Sequence, residues 1–168
     1  ILHPLLHALP HLSGLILSLT TPDFQTTRWQ QSLHDVWSLL RARGKKLILR
    51  DFIDNSWPRQ QLANILATLP DDVRASVKAT ELDYHPGFAN HPHIATLPGH
   101  KKWIEYDLFG TGYGWTALPC YLGDEISGRL SWALSAAENE IEAITSRVSW
   151  QWLPDSRVMD SANAINLF

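Results

Sequence analysis

Five short, near-continuously apolar runs, separated by segments of helical periodicity, constrain this chain more than any other feature. They cover residues 12–19, 46–50, 73–78, 103–108 and 144–150. None alternates cleanly between apolar and polar side chains, which is the pattern of strands covered on both faces of a parallel sheet. Between them, residues 27–43 place Trp29, Leu33, Val36, Trp37 and Leu40 on one stripe, and Gly44 follows as a C-cap. Residues 58–69 predict a second helix, with Pro58 suited to its first turn and Ser56 or Asn55 nearby as a cap. Residues 124–142 predict a third, acidic in its first turn. Residues 84–100 hold Pro86, Gly87, Pro92, Pro98, Gly99 and four histidines, and read as a long loop with room for one short helical turn. Residues 107–123 form a second long loop, rich in glycine and aromatic residues.

Strands recurring about every 30 residues with helices between them imply parallel crossovers. An open doubly wound sheet and part of a barrel both satisfy that pattern. A whole (β/α)₈ barrel takes about 250 residues, and five strands in 168 residues is the matching fraction. No glycine-rich phosphate loop follows any strand, which argues against a nucleotide-binding open sheet. The expected fold class is therefore α/β: a parallel (β/α) barrel of TIM type, incomplete, with about five of eight strand–helix units. Residues 1–168 are expected to form a single domain, the C-terminal portion of such a barrel. The opening Ile1-Leu2-His3-Pro4 does not read as a signal peptide, and the chain reads as starting in mid-protein.

Composition narrows the function classes. At 45% hydrophobic and 18% charged the chain is ordinary for a globular domain, and its size needs no disulfide staples. Cys120 is the only cysteine, so no internal disulfide forms. Net charge is −3 with scattered Lys and Arg, which gives no nucleic-acid footprint. No run of about twenty apolar residues offers a membrane span. Eight tryptophans against one methionine is the unusual ratio. A flat indole stacks well on a sugar ring, although each indole can equally fill core.

In parallel α/β folds the strand C-termini and the loops after them build the site. The polar and aromatic residues there are Thr20, Thr21 and Asp23; Arg50, Asp51 and Asp54; Lys78, Glu81, Asp83 and His85; Glu105, Asp107, Thr111, Tyr113 and Trp115; and Arg147, Trp150 and Trp152. Acids, bases and aromatics converging on one rim suit glycoside hydrolysis, which needs two carboxyl groups flanking the scissile bond. Arg50 and Lys78 can bind an anionic substrate group, or can instead pair with Asp51, Asp83 or Glu105 in internal salt links. His85, His91, His93 and His100 raise the question of a metal, but His91-Pro92-His93 lacks the fixed spacing of a ligand pair and reads as a solvated loop. No metal and no cofactor are expected.

Lys78-Ala79-Thr80-Glu81-Leu82-Asp83-Tyr84, leaving a strand for a proline-containing loop, resembles the segment of glycoside hydrolase family 67 α-glucuronidases that carries a carboxylate base and a substrate-binding lysine. Leu49-Arg50-Asp51-Phe52 is similar to the preceding strand of that family, whose arginine faces the substrate. Ile104-Glu105-Tyr106-Asp107, running on to Tyr113-Gly114 and Pro119-Cys120-Tyr121-Leu122, resembles the next strand and its loop. The resemblance implies that Asp83 is the general base and that Arg50 and Lys78 hold a uronate carboxylate. It also implies inversion of configuration, with acid and base far enough apart to admit water. Two positions depart from the family: its second base-side carboxylate falls near Thr111, and its acid near Pro22 or Asp23.

The expected function is thus inverting hydrolysis of a uronic-acid-bearing or otherwise substituted oligosaccharide. In it Asp83 and Asp23 are catalytic, and Arg50, Lys78, Glu105, Thr111, Tyr113, Trp115 and Trp150 contact substrate. The alternative is a barrel that binds glycan without cleaving it, which Thr111 favours. The expected partners are an oligosaccharide substrate and the missing N-terminal part of the same protein or a second copy.

Overall fold

The computed structural model describes residues 2–19, 27–51, 61–82, 84–97, 99–110, 118–148 and 162–167. Two compact units divide the chain: Ile1–Ser76 with Gly99–Lys101, and Val77–Pro98 with Lys102–Phe168. The strands are β1 (Gly14–Leu19), β2 (Lys46–Asp51), β3 (Arg74–Lys78), β4 (Lys102–Asp107) and β5 (Ile141–Arg147), hydrogen-bonded in that order. Pairing is parallel between β1 and β2, β2 and β3, and β4 and β5. Along β3 and β4, Ala75 N–H donates to the Lys101 carbonyl and Ala79 N–H to that of Glu105, so both partners advance together, as parallel strands must. The parallel α/β class expected from the apolar runs is the class observed.

In the first unit, α1 (Leu2–Ala8), α2 (Thr27–Arg41) and α3 (Gln61–Leu66) accompany the strands. Leu47, Ile48 and Leu49 are consecutive on β2 and all buried, so both faces of that strand are covered. Helix α2 packs on β2 and sinks Leu33 and Leu40 from its stripe, while Trp29 at the stripe's outer edge stays exposed. Each fully buried leucine contributes roughly 1.5–3 kcal/mol relative to an exposed one. The helix closes as its sequence predicts. Gly44 sits at φ 67°, its N–H donates to the Arg41 carbonyl, and Lys45 N–H donates to that of Leu40, a Schellman pair. Helix α3 ends ahead of Pro70, whose ring disfavours helical geometry in the residue before it.

In the second unit, α4 (His93–Thr96) and α5 (Gly123–Ala137) accompany β4 and β5, with α4 packed on α5 and α5 on β5. The core there includes Val77, Ala79, Ile94, Ile104, Tyr106, Phe109, Leu122 and Ala133. The third predicted helix overshoots. Its last residues form a 3₁₀ turn, Glu138–Glu140, and then enter β5, because Ile141 and Ala143 pair with Lys102 and Trp103 of β4. Strand pairing outweighs the helical propensity of an acidic stretch. A second 3₁₀ segment, Ala162–Leu167, has no counterpart in the sequence reading, and neither does α1. In it Asn163 and Asn166 lie three apart and so share a face. Asn163 Oδ1 accepts from Cys120 N–H, its Nδ2 donates to the Phe109 carbonyl, and Asn166 bonds both Leu122 N–H and the Cys120 carbonyl.

The expectation that all five strands are covered on both faces fails for two of them. Ile16 on β1 and Ile144 on β5 are each 48% exposed. Among the described strands these stand first and last in the hydrogen-bonding order. Among the described residues, no helix is long and apolar enough to cross a membrane.

Candidate functional site

In the second unit β3, β4 and β5 end at Lys78, Asp107 and Arg147; Asp107 and Arg147 are paired in register, and the Ala79 N–H bond to the Glu105 carbonyl sets Lys78 level with Glu105. Lys78 is 7% exposed, and burying its ammonium calls for compensating interactions. One is the ring of Tyr84, whose centroid lies 5.3 Å from Lys78 Nζ. Arg147 faces the same ring, with Cζ 4.5 Å from the centroid. Asp107, opposite Arg147 in register, accepts from Arg147 Nε at 3.2 Å and from Phe109 N–H at 3.1 Å. Two cations therefore share one aromatic face donor, and a buried carboxylate orients one of them. The strand period of two puts Glu105 on the same face of β4 as Asp107. Glu105 is half-buried, and its carbonyl receives Ala79 N–H.

Tyr106 points to the other face of β4. Its hydroxyl and that of Thr80 are buried, with no hydrogen-bond partner among the described residues. Both line a cavity of ≈ 20 Å³ together with Tyr84, Asp107, Glu125 and Arg129. Burial pushes the Tyr106 phenol up from 10.0 to about 12, with smaller opposing effects of Arg129 and Glu125, so it stays a neutral donor at ordinary pH. Burial also raises the Cys120 thiol, which keeps it protonated and poorly nucleophilic.

The loop after Tyr84 is fastened from α5. Arg129 Nη1 donates to Asn90 Oδ1 at 2.7 Å, Nη2 donates to the Phe88 and Pro86 carbonyls at 2.9 and 3.0 Å, and Nε bonds Glu125 one helical turn back. An isolated Thr80–Asn90 bridge closes the loop's base. Loops carrying functional groups are held in this way by rigid elements beneath them.

The histidine-rich segment corrects one expectation. His91 and His93 are buried at 3% and 4% exposure, not solvated. His91 N–H donates to the Ala79 carbonyl, and His93 N–H to His91 Nδ1 at 3.2 Å, which folds the Pro92 turn back onto the strand end. In the first unit His100 is buried too, its Nδ1–H donating to the Val73 carbonyl. His85 alone of the four is exposed, accepting from Gly87 N–H at 3.0 Å.

Of the site residues expected from sequence, Lys78 belongs to this cluster, and Glu105 shares a face of β4 with Asp107. Arg50 lies in the first unit, half-buried near the end of β2, in register with Ser18 and Ser76. Asp83, Asp23, Thr111, Tyr113, Trp115 and Trp150 lie outside the described residues. Tyr84, Thr80, Tyr106 and Arg129 were missed as site residues. Tyr84 had a usable signal, an aromatic directly after the candidate base in a loop leaving a strand with a terminal lysine. The buried hydroxyls had none, since no local pattern shows that a hydroxyl lacks a partner. No family model matches the chain, and no curated protein is significantly similar to it.

Proposed function

We propose that these strands belong to a (β/α)₈ barrel of the glycoside hydrolase type, acting on an oligosaccharide that bears a uronic acid or another anionic substituent. The observation that carries the reading is the grouping of Lys78, Arg147, Asp107 and Tyr84 at the C-terminal strand ends, where such barrels keep their sites. Two cations against one aromatic ring suit a ligand that offers both a carboxylate and the flat apolar side of a sugar. In this reading Asp83 takes the proton from the attacking water. Tyr113, Trp115 and Trp150 supply stacking.

The test is turnover of aldouronic oligosaccharides against neutral aryl glycosides by wild type, Asp83→Ala and Lys78→Met. Loss of the base should lower kcat by about 10²–10⁴ on both substrates. Loss of Lys78 should raise KM for the acidic substrate alone. Unchanged turnover by Asp83→Ala, or equal effects of Lys78→Met on acidic and neutral substrates, refutes these roles.

Thr111, at a position where the resembled family keeps a carboxylate, favours a second reading: a barrel that binds the same glycans without cleaving them. Calorimetry beside the hydrolysis assay separates the two, since affinity without product is the signature of binding alone.

A further inference from the structure

The cavity beside Tyr84 is unusual in what it leaves unpaired. Buried hydroxyls in folded proteins nearly always find a partner, because an unsatisfied one costs about 1–3 kcal/mol. Here two of them, Thr80 Oγ1 and Tyr106 Oη, have no partner among the described residues and line the same ≈ 20 Å³ space. They come from different segments, one just after β3 and the other on β4, so no single local distortion accounts for both.

Size and charge define the occupant. A space of ≈ 20 Å³ takes one oxygen-sized group and excludes a sugar ring. The charged side chains in the wall are already matched, Glu125 with Arg129 and Asp107 with Arg147, so the cavity offers no net charge to an ion. Each protein hydroxyl both donates and accepts. A water molecule or an alcohol does the same, and can donate to one hydroxyl while accepting from the other. A carbonyl oxygen could accept from both but donate to neither. Tyr84, Glu125 and Arg129 in the wall are partly exposed, so the space adjoins surface that a ligand reaches.

We propose that this cavity is a subsite for one alcohol group of the bound sugar, with Thr80 and Tyr106 as the specificity-determining residues that hydrogen-bond it. The proposal rests on the glycan reading above and adds to it where one hydroxyl of the ligand is recognised. The lock is neutral, placed beside the cationic pair that would hold the acidic group. Sites built to bond a hydroxyl discriminate strongly against analogues that lack it.

The experiment uses the whole chain labelled with ¹³Cζ-tyrosine, titrated with the methyl glycoside of glucuronic acid, with resonances assigned by single Tyr→Phe variants. The expected result is a saturable shift of both the Tyr84 and Tyr106 resonances. Tyr106→Phe and Thr80→Val should each weaken binding about 3–10-fold, the worth of one neutral hydrogen bond. One monodeoxy analogue of the probe should bind wild type and Tyr106→Phe equally, an outcome a merely structural tyrosine would not produce. Both variants remove an unpaired buried hydroxyl, so melting midpoints measured in parallel should not fall. A shift at Tyr84 with none at Tyr106, or undiminished binding by both variants, overturns the subsite and leaves the glycan reading standing. No response at any tyrosine overturns both.

Discussion

Replacing Arg129 by methionine keeps an aliphatic stem of similar length and deletes the polar fork. The side chain is only 11% exposed, and its guanidinium serves four acceptors on two segments: Glu125, Asn90 and the Pro86 and Phe88 carbonyls. Hydrogen bonds to a charged group are worth roughly 1.5–3 kcal/mol each in mutational series, and bonds sharing one donor group are not additive. Pro86, Phe88 and Asn90 are half-buried, so water recovers part of what is lost. The net expectation is a loss of about 3 kcal/mol. At about 2–4 °C per kcal/mol for a chain of this size, the melting midpoint should fall by roughly 6–12 °C. Arg129→Lys keeps the charge near Glu125 but not the planar fork, and should cost about half as much. Urea unfolding gives the free energies. Amide exchange gives their location, since Glu81 N–H, bonded to the Ala89 carbonyl, and Phe88 N–H, bonded to that of His85, should exchange faster in both variants. A loss below about 1 kcal/mol in Arg129→Met, with loop exchange unchanged, would show that the loop holds itself and that the arginine is incidental.

Gly44→Ala should cost about 1 kcal/mol in urea unfolding, because φ 67° penalises a side chain while no atom obstructs the new Cβ. Tyr106 gives a pH signature. Its folded pKa of about 12 lies above the ordinary 10.0, so its contribution to stability is complete below pH 10 and is lost as pH rises through 12. Wild type should therefore lose more stability than Tyr106→Phe between pH 9 and 11, and parallel slopes would refute the burial. Lys102 is fully buried and ion-paired to Glu140. Glu140→Gln should cost about 2 kcal/mol, discounted for the partial exposure of Glu140, whereas Lys102→Met should cost less, since an apolar replacement leaves no buried charge. Chemical denaturation of the two variants side by side checks the order.

The sequence by itself determined the parallel α/β class, the five strand positions to within a few residues, the α2 stripe and its Gly44 cap. Each of these is a local matter of apolar period or backbone conformation, which a short window of residues contains. The covered faces of β2 and β3 followed too, whereas β1 and β5 did not, because coverage depends on what packs from elsewhere in the chain. Lys78 and Glu105 were legible as rim residues from strand ends alone. That Lys78 and Arg147 meet on Tyr84, that Arg129 ties down residues 86–90, that His91 and His93 are buried, and that the hydroxyls of Thr80 and Tyr106 go without partners were decided only by the tertiary structure. A side chain's partners are set by parallel pairing and helix packing between distant segments, and the residue type records what it can bond but not what it meets.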